Sequence, residues 1–187
     1  MQVSELKIPG ALLVQPDVHG DARGFFCETY REPAWSEHGI PSTWAQDNHS
    51  RSAKGVLRGM HFAIGDGQAK LVRCARGRIL DVVVDLRKGS PAYGQWDAVE
   101  LSDENMHQLF VPIGLAHGFV VLSDVADVTY KCTTVYDPAV ERGIAYDDPA
   151  IGIEWPAGLD LLVSERDADA PTLAQIAPEL PFTYPAA

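Results

Sequence analysis

The chain has 187 residues and a formal net charge of −11 at pH 7. A chain of this length buries about two-thirds of its unfolded surface, so we expect a single domain over residues 1–187. The acidic balance argues against a nucleic-acid partner, which would need a basic face or stripe. An anionic ligand would need a local cationic pocket, for which Arg23, Arg58, Lys70 and Arg73 are candidates.

Neither a targeting signal nor a membrane span is evident. The N-terminal sequence MQVSELKIPGALLVQ lacks the basic flank and continuous apolar core of a signal peptide, and every apolar run is shorter than a membrane span. Cys27, Cys74 and Cys132 stand singly, without metal-binding spacing, so we expect buried free thiols. These features predict a cytoplasmic protein with no membrane partner.

Glycine and proline recur at intervals of about ten residues, and the runs between them are rich in valine, leucine, isoleucine and aromatic residues. This pattern is typical of an all-β sandwich or barrel. The predicted strands are Gly24–Tyr30, Trp44–Ser50, Gly55–His61, Ala69–Ala75, Arg78–Asp85, Gln95–Leu101, Gln108–Val111, His117–Leu122 and Val125–Thr134.

Three segments outside these strands carry further predictions. Residues Glu32–His38 are expected to form a helix that Gly39 terminates. The segment Leu6–Val14 has no evident pairing partner, so it either adds to the sheet of a second copy or forms an intramolecular edge strand. The tail from Pro171 onward, with its four prolines, is predicted to form a short helical turn and then irregular chain.

Two motifs each deliver one histidine from a predicted strand. Residues Lys54–Phe62 read KGVLRGMHF and contain His61, and residues Pro112–Phe119 read PIGLAHGF and contain His117. Strands of a small barrel point alternate side chains inward, so the two histidines can meet in one central cavity. The P-x-G-x-x-H spacing of the second motif resembles that of the cupin barrel, where proline and glycine form a turn and the histidine enters the barrel.

Nearly the whole chain, in order, resembles the dTDP-4-dehydrorhamnose 3,5-epimerase family. The resemblance implies an all-β, cupin-type double-stranded β-helix (jelly-roll barrel) with short peripheral helices. It also implies a homodimer that epimerises dTDP-4-dehydro-6-deoxy-D-glucose at C3 and C5, without a cofactor, to dTDP-4-dehydro-L-rhamnose. The matching segments are GDARGFFCETY (20–30), QDNHSRSAKGVLRGMHF (46–62), QAKLVRC (68–74), DVVVDLRKGSPAYGQW (81–96), AHGFVVLS (116–123), TYKCTTVYDPAVERGI (129–144) and SERDADAP (164–171).

Epimerisation beside a ketone needs a base on one face, a group that stabilises the enolate, and an acid on the opposite face. The resemblance implies that His61 is the base, oriented by Asp167, and that Tyr130 is the acid. Lys70 would place a positive charge near the C4 oxygen. Each has a structural alternative: a core histidine, a packing tyrosine, or a lysine that reaches solvent. Tyr136 lies close to Tyr130 in sequence and is an alternative acid.

Arginine can offer paired donors to phosphate, so Arg23 and Arg58 are the candidate clamps for the nucleotide diphosphate. His117 resembles a histidine that contacts substrate, although a core histidine beside a turn is the alternative. The resemblance adds further binding residues: Glu28, Gln46, Asn48, Glu141 and Arg166. In a regular strand Arg58 and His61 point to opposite faces. Both can serve one ligand only if Gly59 marks a bulge or if Arg58 acts across a dimer.

Other readings remain open. A metal-dependent cupin needs H-x-H and a glutamate in its first motif, but His61 is followed by Phe62 and Ala63, so we expect no metal. The loop FAIGDGQAK departs from the family, where a glutamine and a proline-rich loop are expected. An epimerase acting at only C3 or only C5 of a nucleotide sugar fits the same residues. A non-catalytic sugar-binding module would need the pocket but neither base nor acid.

Overall fold

The computed structural model describes residues 1–184 and contains two facing sheets and a separate hairpin. One sheet has the strand order β1-β2-β10-β7-β12-β5, the other has the order β13-β6-β11-β8-β9 with β14 beside β6, and β3 pairs with β4. The strands are β1 Gln2–Glu5, β2 Leu12–Gln15, β3 Val18–Asp21, β4 Gly24–Cys27, β5 Gln46–Ala53, β6 Val56–Ala63, β7 Lys70–Arg76, β8 Arg78–Asp85, β9 Trp96–Ser102, β10 Gln108–Val111, β11 Leu115–Val121, β12 Val125–Cys132, β13 Glu141–Gly143 and β14 Leu162–Val163.

Short helices lie around the barrel. Helix α1 spans Glu165–Ala168 and α2 spans Leu173–Ile176, with 3-10 turns at Ser36–His38 and Ala177–Glu179. The predicted all-β, cupin-type architecture with short peripheral helices is therefore confirmed. None of the helices among residues 1–184 is long and apolar enough to cross a membrane.

The main core lies between the two sheets. Ile79 and Val83 of β8 point into it, whereas the alternate residues Val82 and Val84 pack against the C-terminal segment around α2. Both faces of β8 are therefore buried. Burial on both faces explains why this strand reads as a nearly continuous apolar run rather than as an alternating one.

Every predicted strand is present. Arg78–Asp85 and Gln108–Val111 have the predicted bounds, and the others differ at one or both ends. The segment predicted as Gly24–Tyr30 ends earlier, at Cys27, and belongs to the separate hairpin. The short strands β1, β3, β13 and β14 were not predicted, because so few residues carry no recognisable alternation.

The predicted helix over Glu32–His38 is wrong. Only Ser36–His38 is helical, as one 3-10 turn, although Gly39 does terminate it in the left-handed conformation with φ 77°. Trp35 is buried in a small cluster and its ring lies 5.7 Å from that of Tyr30. Packing of these aromatic rings, rather than helix propensity, determines the path of the segment.

Two predictions concerned the N-terminal segment Leu6–Val14 and the C-terminal tail. β2 pairs with β10 of the same chain and β1 pairs with β2, so the intramolecular alternative for Leu6–Val14 is correct. The tail forms α2 and a further 3-10 turn and then becomes irregular, as predicted, while residues 185–187 lie outside the described chain.

The cysteines fulfil the buried-thiol prediction only in part. Cys74 and Cys132 are free and buried, but Cys27 is free and only partly buried. Its position on the exposed hairpin accounts for the difference.

A β-bulge interrupts the pairing of β6 with β11. His61 lies opposite His117 and Arg58 lies opposite Phe119, so β6 has two residues where β11 has one. The extra residue reverses the alternation, and Arg58 and His61 therefore point to the same side of the strand. The bulge alternative is thus sufficient to bring both side chains to one cavity within one chain.

Glycine is required where the two strands approach each other at this bulge. Gly59 has φ 144°, and a Cβ atom built on it would lie 2.5 Å from the Cα atom of Gly118. Any side chain at position 59 would push β6 away from β11. The sequence R-G-M-H therefore fixes the bulge at one place.

We predict that Gly59→Ala lowers the free energy of unfolding by about 3 kcal/mol or more, because both the backbone angle and the strand contact are lost. Gly89→Ala is the matched control, since Gly89 has φ 82° with no atom within 4 Å of a built Cβ. The control should lose only about 1–2 kcal/mol. Urea-induced unfolding measures both values, and equal losses would show that the strand contact carries no cost.

Candidate active site

A cavity of about 740 Å³ opens between the sheets, which is a usual size for a small-molecule site. Strands from both sheets line it, together with α1. Ten residues predicted from the sequence lie on its wall: Gln46, Asn48, Arg58, His61, Lys70, His117, Tyr130, Glu141, Arg166 and Asp167.

His61 and Asp167 form a hydrogen-bonded pair on one wall. The distance between His61 Nε2 and Asp167 Oδ1 is 2.7 Å, although 106 positions separate the two residues in the chain. The backbone N–H of Gly59 donates to the second oxygen, Oδ2, at 3.4 Å. With Nε2 donating to the carboxylate, the Nδ1 atom of His61 carries the lone pair that can accept a proton.

The pKa of Asp167 is lowered by its surroundings. Burial raises it, but the hydrogen bond and charge of His61, the Gly59 N–H and the Ser164 hydroxyl together outweigh that effect. The carboxyl is therefore ionised at neutral pH. An ionised carboxylate beside an imidazole stabilises the imidazolium that forms when the imidazole takes a proton.

Lys70 lies at the floor of the cavity. Its side chain is buried, and its Nζ atom lies 3.4 Å from the backbone oxygen of His61. Burial lowers the pKa of Lys70, while the charges of Cys132, Glu141 and Asp81 act in the opposite direction. A lysine N–H in so dry a position interacts strongly with any negative charge that develops beside it.

A second histidine–carboxylate pair lies deeper in the barrel. His117 Nε2 is 2.6 Å from Oδ1 of Asp81, and both side chains are buried. The other oxygen of Asp81 has no hydrogen-bond partner among the described residues. Asp81 was not among the site residues predicted from the sequence. The signal that could have found it is an acid at the inward position between Ile79 and Val83, where the strand is otherwise apolar.

Tyr130 faces His61 from the opposite sheet. It lies on β12, next to Asn48 of β5 and Val72 of β7, whereas His61 lies on β6. Burial raises the pKa of Tyr130, so its hydroxyl stays protonated at neutral pH. Tyr136 also lines the cavity, but it is largely exposed at the mouth.

Polar groups organise the rest of the wall. Arg58 Nε donates to the hydroxyl of Ser52 at 3.0 Å, and within residues 1–184 its terminal nitrogens make no hydrogen bond. Gln46 donates to Asn48 at 2.9 Å. Arg58 therefore presents a paired-donor edge that can receive phosphate oxygens.

Across the mouth, Arg166 of α1 pairs with Glu141 of β13. The distance from Arg166 Nη2 to Glu141 Oε1 is 2.9 Å. The Arg166 side chain stays half exposed, whereas the Glu141 side chain is mostly covered. The pair borders the cavity next to Asp167, whose carboxylate contacts His61.

Two predicted binding residues lie outside the cavity of their own chain. Arg23 pairs with Asp21 on the β3–β4 hairpin, and Glu28 pairs with Arg31 just beyond it. The structure therefore does not bring these two side chains together with His61.

The ionisable side chains of residues 1–184 form no donor set for a metal ion. Within residues 1–184, no group of three or more histidine, cysteine, aspartate or glutamate side chains is arranged to hold a metal ion. His61 and His117 each face a carboxylate from a different element rather than one shared centre.

A family model described as dTDP-4-dehydrorhamnose 3,5-epimerase matches residues 5–175. The chain belongs to the dTDP-4-dehydrorhamnose 3,5-epimerase family. A relative of that name from Salmonella typhimurium is 51% identical over 177 residues, which are 94% of this chain and 97% of that protein. The resemblance seen in the sequence motifs is thereby confirmed.

Solved structures of epimerases share the fold. A dTDP-6-deoxy-D-glucose-3,5-epimerase from Legionella pneumophila, in complex with dTDP-4-keto-L-rhamnose, is 45% identical with a TM-score of 0.95 and 99% coverage of both chains. A 3′-monoepimerase from Streptomyces bikiniensis, in complex with dTDP-quinovose, is 40% identical with a TM-score of 0.88, covering 93% of this chain and 89% of that one.

We predict that Lys70→Met stabilises the protein at neutral pH but lowers turnover by about 10²-fold. Because burial holds the pKa of Lys70 in the folded state below its ordinary value of 10.5, the unfolded chain binds more protons between those two values. The wild type therefore gains stability as pH rises toward about 10, and the advantage of the variant shrinks. Urea unfolding of the wild type and the variant at neutral pH and at about pH 10 tests this prediction. A difference in unfolding free energy that is the same at both pH values would contradict the desolvation of Lys70.

Proposed function

We propose that this protein is a dTDP-sugar epimerase that converts dTDP-4-dehydro-6-deoxy-D-glucose to dTDP-4-dehydro-L-rhamnose by inverting C3 and C5. The observation that supports this most strongly is the arrangement of one cavity, in which His61 of one sheet pairs with Asp167 of α1 and Tyr130 lies on the other sheet. Membership of the family and the ligand of the Legionella structure support the substrate.

His61, Lys70 and Tyr130 each act once at C3 and once at C5 in the proposed reaction. Nδ1 of His61 removes the proton beside the C4 ketone, and Asp167 stabilises the resulting imidazolium. The electron pair of the broken C–H bond moves onto the C4 oxygen, where the N–H groups of Lys70 stabilise the enolate. Tyr130 then donates its hydroxyl proton to the opposite face of the same carbon, which inverts the centre. Before the second carbon reacts, His61 gives its extra proton to solvent and Tyr130 takes one back.

Binding groups hold the nucleotide so that the sugar reaches these residues. Arg58 of β6 receives the diphosphate, and Gln46 and Asn48 add polar contacts from β5 of the other sheet. His117 contacts a sugar hydroxyl, with Asp81 fixing its ring. The Glu141–Arg166 pair contacts the nucleotide sugar at the mouth of the cavity. The guanidinium of Arg58 thus places a positive charge where the anionic diphosphate binds, on a protein whose net charge is −11.

An epimerase that inverts only one carbon is the second candidate. The similarity to the 3′-monoepimerase from Streptomyces bikiniensis favours keeping it. The same residue types serve both reactions, because the carbons that exchange depend on the position of Tyr130 and the pose of the sugar.

The cellular context is also part of the proposal. We place the protein in the cytoplasm as a single domain over residues 1–187, without a bound cofactor or metal. Its partners are the dTDP-sugar and a second copy of the chain, with no nucleic acid and no membrane surface.

A homodimer is supported by the β3–β4 hairpin. Phe25 and Phe26 on this hairpin are exposed by 63% and 66%. Exposed rings on a short hairpin are typical of a contact surface. Arg23 and Glu28, which lie outside the cavity of their own chain, would then complete the cavity of the partner.

The reaction is tested by incubating the purified protein with dTDP-4-dehydro-6-deoxy-D-glucose in D₂O and reading deuterium by NMR. We expect deuterium at both C3 and C5, because the hydroxyl of Tyr130, which supplies the incoming proton, exchanges with D₂O before it donates. Deuterium at one carbon would support the single-carbon epimerase instead. Absence of deuterium from both carbons would contradict epimerase chemistry on this substrate.

His61→Ala and Tyr130→Phe separate the two proton-transfer steps. We expect His61→Ala to lose at least about 10²-fold in exchange while still binding dTDP. Tyr130→Phe should lose inversion more than exchange, since His61 can still remove and return a proton on its own face. Near-normal turnover of His61→Ala, or equal losses of exchange and inversion in Tyr130→Phe, would contradict these roles.

Mixed dimers test the contribution of the partner. We predict that Arg23→Ala and His61→Ala subunits, each inactive alone, recover about one-quarter of wild-type activity when they are refolded together in equal amounts. In half of the dimers, one site then combines His61 of one subunit with Arg23 of the other. No recovery from a mixture of folded dimers would place Arg23 outside the partner's site.

A further inference from the structure

Ser164 is the N-cap residue of helix α1, the helix that carries Asp167. Ser164 has the extended backbone of an N-cap residue, and its hydroxyl accepts a hydrogen bond from the backbone N–H of Asp167 at 3.2 Å. Ser164 itself lies on the cavity wall. The hydroxyl therefore ties down the residue that carries the carboxylate.

Asp167 is held at three points. Ser164 binds its backbone N–H, His61 binds Oδ1, and the Gly59 N–H binds Oδ2. The last two contacts determine where the carboxylate meets β6, whereas the first determines where the backbone of α1 lies. The Asp167 N–H also reaches the backbone oxygen of Ser164 at 3.1 Å, so loss of the hydroxyl would loosen the first turn of α1 without releasing it.

The cap matters because α1 is so short. The helix has four residues, Glu165–Ala168, and an isolated helix of that length has no stability of its own. Its first turn depends on the Ser164 side chain. The Ser164 hydroxyl also helps to lower the pKa of Asp167, after the larger effects of burial, His61 and Gly59.

We propose that Ser164 is a positioning residue for the reaction: its hydroxyl holds Asp167 so that the carboxylate stays aligned with His61. It acts on the base through Asp167 and does not touch the reacting carbons. The proposal rests on the proposed function, in which His61 removes the proton.

Ser164→Ala is the direct test, and Thr172→Ala is the matched control. Thr172 caps α2 through the same kind of hydrogen bond, to the Gln175 N–H, and lies outside the cavity wall. We expect Ser164→Ala to lower kcat about tenfold or more with KM unchanged, since a misaligned carboxylate affects only the proton-transfer step. Thr172→Ala should leave kcat unchanged.

Two further variants separate alignment from helix stability. Ser164→Thr keeps the capping hydroxyl and should restore kcat. Ser164→Gly keeps most of the helix stability, because glycine is tolerated at N-cap positions, but it should lower kcat as Ser164→Ala does. If Ser164→Ala lost kcat but Ser164→Gly kept it, or if Thr172→Ala lost as much as Ser164→Ala, Ser164 would be an ordinary helix cap and the proposal would be overturned. A raised KM at constant kcat would instead place Ser164 in contact with substrate, which also overturns it.

A readout that does not depend on activity distinguishes this proposal from the proposed function. The carboxyl ¹³C signal of Asp167, assigned by its loss in Asp167→Asn, reports the pKa of that group by NMR. The titratable and charged groups near it are the imidazole of His61 on β6, Arg166 on α1 and Glu141 on β13.

We expect the pKa of Asp167 to rise toward its ordinary range in Ser164→Ala and to stay low in Thr172→Ala. An unchanged titration in Ser164→Ala would overturn the positioning role. An unreactive wild type that nevertheless shows the Ser164-dependent titration would contradict the proposed function while supporting the alignment.

Discussion

The β-bulge at Gly59 is the constraint on which the site depends. One extra residue in β6 turns Arg58 to the same side as His61, so the proposed phosphate clamp and the proposed base face one cavity. The same bulge directs the Gly59 N–H to Asp167 and places His117 of β11 directly opposite His61. A regular strand with His61 in its present place would lose the first of these relations, because its alternation would send Arg58 outward.

The cavity gathers buried ionisable groups, and most of them have partners. Asp167 faces His61 and a backbone N–H, Asp81 faces His117, and Lys70 contacts a backbone carbonyl. Unpaired burial of such groups would cost several kcal/mol each. The exposed surface of the protein is acidic, so the cations of the cavity act locally. Lys70 is buried, so its effect on a nearby negative charge is strong, whereas Arg58 and Arg166 are exposed and act through direct contact.

Much of the fold could be predicted from the sequence because strand alternation and glycine punctuation are local signals. Residues 78–85 were placed correctly because the run is apolar and bounded by Gly77 and a turn. The helix at Glu32–His38 failed because tertiary packing of Trp35 overrode local propensity. Strand alternation suggested that His61 of β6 and His117 of β11 share a cavity, whereas the role of Lys70 on β7 came from the family resemblance. The bulge could be named only as one of two alternatives, since register depends on the facing strand.

The contacts of the site were harder to predict than its members. The His61–Asp167 contact joins β6 to a short helix far along the chain, and only the family resemblance suggested it. Asp81 was missed because its partner, His117, lies on a neighbouring strand whose register the sequence does not show. Arg23 and Glu28 were identified as binding residues, but the cavity of a single chain does not include them.

A crystal structure of the protein with dTDP bound would show directly whether the bulge serves one ligand. We predict that the diphosphate contacts the terminal nitrogens of Arg58, with its free phosphate end directed toward His61 and Lys70. A diphosphate bound away from Arg58, or one whose free end points out of the cavity, would contradict the shared role of Arg58 and His61.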